Sequence, residues 1–335
     1  MSELLELPPF GPRDDARFLA EMTELTRFHL EASPELRRMW PHWSDAASVE
    51  ELPFVHVGVF KHLLLRSRGA SHQRILRSSG TSGAATSQIA LDEASSELQA
   101  RSSVAILREL VGPERTPLLV LDRAASLRQR GEVSARIAAA MSLRPLATEI
   151  LFVLGDDDRI RWDAVLDAAS RHQHLRVYGF TSVLWQAWTA RPELNGMRID
   201  FVHSGGWKKL EAARVTREEF DGTLLHGLAK ESRVVDYYGL VEQVGIVYPL
   251  CAAGFRHVPA WAAVIARDPW TLEPVREVGM LQSMNVLPRG APYHSVLTED
   301  LGRVVDGGCA CGRQGMRFEL HGRVPKAETR GCANV

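Results

Sequence analysis

The chain has 335 residues, of which 45% are apolar and 24% charged, and its formal net charge is −1. This length supports one large core or two domains, and the near-neutral balance excludes the charge footprint of a nucleic-acid binder. No run of about 18 apolar residues exists to span a membrane. With no basic-then-apolar leader and all four cysteines in the last third, a soluble cytoplasmic protein is expected.

Apolar residues three and four apart (Phe18, Leu19, Met22, Leu25, Phe28) predict a helix over 14–32. An apolar connection, 52–67, leads to "SSGTSGAAT" at 78–86, and an amphipathic helix is expected from Ile89 to Leu110. Strands are then expected at 117–122, 149–154, 175–180, 197–206 and 233–239, and helices at 126–141, 161–170, from 182, and at 216–229. That alternation predicts an α/β domain over 1–245, a mostly parallel sheet with helices behind an N-terminal helical segment. Beyond it, more Pro and Gly and shorter apolar runs predict a small antiparallel β subdomain over 246–325 and a mobile tail over 326–335.

By composition alone the loop 78–86 equally fits a flexible linker. Its glycines and hydroxyls (Ser79, Gly80, Thr81, Ser82, Gly83, Thr86) also suit a cradle for a polyphosphate. It is not the loop of nucleotide hydrolases, because no Gly-Lys-Ser/Thr follows. "HSGGWKK" (203–209) and "YYGLVEQ" (237–243) sit at the carboxyl ends of expected strands, where open α/β sheets bind ligands. Glu242 in the second is a candidate magnesium ligand, alongside nucleotide phosphates. Cys251 with His257, and Cys309 with Cys311, supply three thiols and an imidazole, the donor set of a closed structural zinc site.

In this order, "SSGTSGAAT", "GGW" and "YYGLVE" resemble the adenylate-forming superfamily, as does the later "LTEDLGRV", and "CACGRQGMRFELHGR" resembles its phenylacetate-CoA ligase branch. The resemblance implies that the first loop holds ATP phosphates and that Ser204, Gly205 and Gly206 lie along adenine, with Tyr238 and Gly239 nearby. It implies further that Asp300 accepts the ribose hydroxyls, and that Arg313 and Arg323 are phosphate or hinge contacts. Val241 stands where the superfamily often has Thr. The segment 178–188 resembles the stretch beside the substrate carboxylate, which makes Phe180, Trp185 and His203 substrate candidates, although such an aromatic stripe is more often simple core.

Acyl-CoA ligases continue past this point into a lid carrying a catalytic lysine, whereas this chain stops at "GRVPKAETRGCANV". Lys208 or Lys209 is the candidate to supply that charge. In length, in "GGWKK" and in the terminal "RGC" the chain is similar to the LuxE-type acyl-protein synthetases. That likeness implies ATP and Mg2+ as cofactors, a fatty or aryl acid as substrate, Cys332 as acyl acceptor and an acyl reductase or carrier as partner. Two alternatives stand beside it. One is a ligase of the same fold that loads coenzyme A or a carrier protein, and the other a non-catalytic nucleotide-binding subunit of a reductase complex.

Overall fold

The computed structural model describes residues 2–78, 85–125, 132–157 and 159–325. It opens with α1 (Asp15–Ala32) and α2 (Pro34–Met39). The Asp14 carboxylate and the Ser33 hydroxyl cap them, each accepting a first-turn N–H that the helix leaves unpaired. Next come β1 (Val55–His56), β2 (His72–Arg77), β3 (Gln88–Asp92) and α3 (Glu93–Val111). The helix expected from Ile89 therefore starts late. Asp92 is extended and accepts the Ser95 N–H at 3.0 Å, closing the strand and capping the helix in one residue.

β4 (Thr116–Val120), β5 (Glu132–Ser134), α4 (Ala135–Ser142) and β6 (Ala147–Phe152) follow. The helix expected over 126–141 is likewise shortened. Ser134 caps α4 through the Ile137 N–H, and β-branched Val133 pairs with Leu76 of β2. Residues 126–131 lie outside the described part. α5 (Trp162–Arg171), β7 (His174–Phe180), α6 (Thr181–Trp188), β8 (Arg198–Ser204), α7 (Arg217–Leu225) and β9 (Arg233–Tyr238) complete the expected alternation. The remaining strands are β10 (Tyr248–Pro249), β11 (Arg256–His257), β12 (Ala262–Arg267), β13 (Pro274–Val275), β14 (Gly279–Asn285), β15 (Ser295–Val305) and β16 (Arg317–Arg323).

One sheet has the order β10-β9-β8-β7-β4-β6, parallel throughout except for β10. The later strands form an antiparallel sheet, β11-β16-β15-β14-β12-β13. β1 joins it in parallel against β15, pairing Val55 with Val296. A third sheet, β3-β2-β5, carries the hairpin β2–β3. The α/β class with a mostly parallel sheet and a C-terminal antiparallel sheet is thus observed. No helix among the described residues is long and apolar enough to cross a membrane.

The two ends of the parallel sheet differ. At the amino ends, buried charges close on one another. Asp200 accepts from His174 Nε2 at 3.0 Å and Arg233 Nε at 3.1 Å, while Arg176 donates to the carbonyls of Leu146 and Val111. Each buried charge has partners, which makes its burial tolerable. At the carboxyl ends, β7, β8 and β9 run out into Phe180, Ser204-Gly205-Gly206 and Tyr238-Gly239.

Away from that edge, His29 and His294 stack with ring centroids 4.9 Å apart in the core. His29 bonds Ser67 Oγ at 2.8 Å, and His294 bonds Thr26 Oγ1 at 3.0 Å. Burial drives the His29 pKa down to about 4 and holds that of His294 well below its ordinary value, helped by the His29 and Arg289 charges. Both rings fold neutral. In the unfolded chain they take up protons near pH 6.5, so their contribution is intact above that pH and is lost as pH falls towards 4. For His29 alone this amounts to about 3 kcal/mol. A melting temperature that falls across this window, and falls less steeply in His29→Gln, is expected; equal slopes would contradict it.

Candidate active site

The carboxyl edge of the parallel sheet faces β15 and β16. Asp300 on β15 is the junction. Its Oδ2 accepts the Tyr238 hydroxyl at 2.6 Å and its Oδ1 accepts Arg323 Nε at 2.7 Å. The β15–β16 register sets Asp300 opposite Arg323. Burial, then the Asp300 charge, pushes the Tyr238 phenol well above its usual pKa, so it stays a hydrogen-bond donor. The Tyr238 ring, expected near adenine, packs on Tyr248 and edge-on to Phe318. Asp300, Arg323 and Tyr238 are therefore brought together.

Glu242 follows β9 in the short turn Val241–Gln243 and is buried. Its neighbour Gln243 fixes that turn, donating to the Tyr293 carbonyl at 3.0 Å and accepting from Asn285 Nδ2 at 2.7 Å. Burial raises the Glu242 pKa, while the Ser87 hydroxyl, the residue's own N–H and the charges of Lys61 and Arg323 pull it back part of the way. Ser87 is the base of the Ser/Gly loop. Its N–H donates to Ser78 Oγ at 2.9 Å and its carbonyl accepts the Ser78 N–H at 3.1 Å. Glu242 thus stands at the closed root of that loop. Ser79, Gly80, Thr81, Ser82 and Gly83 lie outside the described residues, and Thr86 is half-buried beside Ser87.

At the end of β8, Gly205 has φ of +79°, which a side chain would strain. Thr181 Oγ1 lies 2.6 Å from the Gly205 carbonyl and 2.9 Å from His203 Nδ1. A hydroxyl has one proton and a carbonyl only accepts, so Thr181 donates to Gly205 and His203 Nδ1–H donates to Thr181. His203 is buried, and desolvation lowers its pKa, leaving Nε2 as the unprotonated nitrogen. Its ring lies against Phe220, on which Trp185 stacks at 5.7 Å. Trp185 and His203 therefore share one aromatic wall, continuous with core residues Trp207 and Phe220, while Phe180 ends β7 in register with Ser204. Ser204 is buried and its hydroxyl lowers the raised pKa values of the Tyr178 and Tyr237 phenols, leaving Gly205 and Gly206 to offer backbone. The side chains of Lys208 and Lys209, and Cys332 with the tail from 326, lie outside the described part.

A second cluster sits at the other end of the antiparallel sheet. The ligand atoms of Cys251, His257, Cys309 and Cys311 all lie within 4.8 Å of one another. Cys251 Sγ is 3.8 Å from Cys309 Sγ, and Cys311 Sγ is 3.3 Å from His257 Nε2. Bonds of about 2.3 Å to sulfur put the corners of a tetrahedron about 3.8 Å apart, so the set fits one four-coordinate metal ion. Gly312 at φ +88° closes the Cys-x-Cys turn, its N–H donating to the Cys309 carbonyl. Burial, then Arg313 and Arg317, lowers the His257 pKa to about 4, which keeps the imidazole free to ligate. Arg313, expected as a phosphate or hinge contact, lies here in the structure. Its guanidinium lies 5.0 Å over the Phe10 ring and its carbonyl accepts the Cys309 N–H, because the Cys-x-Cys turn carries it to this end of the sheet.

The acyl-protein synthetase LuxE family model matches residues 44–335. The chain belongs to that family. The curated proteins include a long-chain-fatty-acid–luciferin-component ligase of Aliivibrio fischeri, 28% identical over 142 residues, which covers 41% of this chain and 37% of that relative. Among solved structures, 2-hydroxyisobutyryl-CoA ligase in an open conformation with 2-HIB-AMP and CoA superposes with a TM-score of 0.65 at 14% identity, over 93% of this chain and 70% of that one. The N-terminal domain of FACL13 from Mycobacterium tuberculosis gives 0.50 at 14% identity, over 86% of this chain and 66% of that one. At these identities the two solved structures show the fold alone, which this chain shares.

One site residue carries no sequence signal of its own: Ser87 follows the quoted loop by one position, and only the fold sets it against Ser78 at the base of the loop.

Proposed function

We propose that this protein activates a carboxylic acid with ATP and then carries the acyl group as a thioester on Cys332 for delivery to an acyl reductase. In the first step a carboxylate oxygen attacks the α-phosphorus of ATP. The bond to pyrophosphate breaks, and acyl-AMP forms. In the second, the Cys332 thiolate attacks the acyl carbon and AMP leaves with the bonding pair. The observation that carries the reading is the meeting of Glu242, at the root of the Ser/Gly loop, with the Asp300–Arg323–Tyr238 group at the carboxyl edge of the sheet.

Such a reaction asks the protein mainly for alignment and charge neutralisation. The loop 78–86 wraps the phosphates and Gly205 and Gly206 line the base. Asp300 takes the ribose hydroxyls with lone pairs left over from Tyr238 and Arg323. Glu242 would hold Mg2+, which neutralises phosphate charge when bound. The acid lies along Phe180, Trp185 and His203. The test is ATP–pyrophosphate exchange: it is expected to depend on added fatty or aryl acid, and an absence of acid-dependent exchange would contradict the reading.

The Cys251–His257–Cys309–Cys311 set takes a structural zinc ion that holds the β15–β16 end of the sheet. Metal analysis should return about one zinc per chain. Cys309→Ser should lose the metal and several degrees of melting temperature. A folded wild-type protein without zinc, and with the stability of that variant, would contradict the assignment.

A further inference from the structure

Exposed apolar side chains gather in two places, one convex and one concave. Trp270, 91% exposed, stands with Leu272 and Val278 on the stretch that leads from β12 through β13 to β14. Met39 and Leu63, also exposed, line a cleft of about 420 Å³ together with His56, Gly58, Val59 and His62. The turn that carries Trp270 is firmly built. Asp268 Oδ1 accepts the N–H groups of Trp270 and Thr271, each at 2.8 Å, and its carbonyl accepts the Leu272 N–H at 2.9 Å. Arg267 ties the turn to the sheet, donating to the Leu272 carbonyl at 2.9 Å and to Gln282 Oε1. Leu272 is held at φ +63°, a conformation that a residue other than glycine adopts only under constraint. A turn that stores strain in order to display an indole to solvent points to a role in recognition.

We propose that Trp270 seats in the Met39–Val59–Leu63 cleft of a second copy of this chain, so that two copies pair by exchanging hairpins. Charge favours that occupant. The hairpin stretch 268–278 carries Asp268, Glu273 and Glu277 against Arg276 alone. The segments that line the cleft, 36–39 and 56–63, carry Arg37, Arg38 and Lys61 and no carboxylate. Opposite potentials steer the two surfaces together and fix their orientation. A lipid surface suits the acidic hairpin less, because membrane surfaces are anionic. Position favours it too. Arg267, at the root of the hairpin, donates to the Glu50 carbonyl and lies 5.0 Å over the Phe54 ring. On the cleft side, Trp40 Nε1 donates to the Phe54 carbonyl at 2.9 Å, and His56 lines the cleft. The knob and the cleft therefore flank one short segment of the surface, as a self-complementary two-fold pair requires. Tryptophan is a common anchor of such contacts. Each seated indole buries about 150–250 Å², a small part of a standard interface of about 1,600 Å², so pairing is expected at micromolar concentrations.

The test is sedimentation velocity of the full chain across the micromolar range, at low and high salt. Wild type is compared with Trp270→Ala, which removes the knob, with Leu63→Glu, which spoils the cleft, and with an equal mixture of the two. Both side chains are exposed, so the fold should survive, and an unchanged melting temperature checks that. Wild type is expected to form a dimer that weakens about tenfold or more in either variant and loosens as salt rises. The mixture keeps one of the two knob-and-cleft contacts, so it should associate more strongly than either variant alone. A wild type that stays monomeric throughout would overturn the proposal, and Trp270-dependent binding to phosphatidylcholine vesicles would then give the hairpin to a lipid surface. A dimer that persists unchanged in both variants, or a mixture no better associated than its parts, would overturn it as well. None of these outcomes bears on adenylation, which acid-dependent exchange tests separately.

Discussion

Glu242→Gln is expected to lower acid-dependent ATP–pyrophosphate exchange by about 10²–10³-fold, the usual loss when one preorganised electrostatic contact is removed. The fold should survive. The amide matches the carboxylate in size, and the turn is held independently by Gln243 through Tyr293 and Asn285. Burial already disfavours the Glu242 charge, so a neutral group costs the folded state little. Loss of exchange with a melting temperature within a few degrees of wild type therefore reports chemistry. Asp300 is the poorer position for this test, because its carboxylate also ties β9 to β15 and β16 through Tyr238 and Arg323. Full exchange activity in Glu242→Gln would remove Glu242 from the site.

Cys332→Ser is expected to separate the two half-reactions completely. Exchange and acyl-AMP formation should stay near wild type, while covalent acyl transfer to the protein falls to background. The argument is chemical: a hydroxyl near neutral pH is a far weaker nucleophile towards an acyl-adenylate than a thiolate. The other three cysteines face one another and His257 in the metal-type cluster, which leaves them poor alternative acceptors. An undiminished acyl load in Cys332→Ser would place the acceptor elsewhere.

Much of the fold is legible in the sequence because its central strands are buried on both faces. "LRVYGF" and "RIDFVHS" are buried almost end to end, as parallel strands under helices should be, and Leu175, Val177, Tyr178, Ile199, Phe201 and Val202 mark them as strands despite Arg176 and Asp200. The boundaries that misread are those set by a single cap. Ile89 and Leu91 fit a helical stripe as well as a strand, and Asp92 decides between them by accepting the Ser95 N–H. Ser134 does the same for α4. The parallel pairing of β1 with β15 leaves no local trace at all, since two residues carry no periodicity.

The site divides in the same way. Glu242 and Asp300 stand in motifs whose order is specific. Ser87 becomes visible only once β2 and β3 pair and set it against Ser78 at the base of the loop. Arg313 and Arg323 look equivalent in "CGRQGMRFELHGR", yet the strand between them carries one to the cysteine cluster and the other to Asp300.

The central claim, activation of an acid followed by its capture on the chain, is tested most directly by intact mass. The full-length protein would be incubated with ATP, magnesium and a mixed pool of fatty and aryl acids, with Cys332→Ser in parallel. The account predicts one added acyl mass on wild type, removed by hydroxylamine and absent from Cys332→Ser, with the increment naming the acid. An unchanged wild-type mass while pyrophosphate is released would contradict it, and would assign the acyl group to an external thiol.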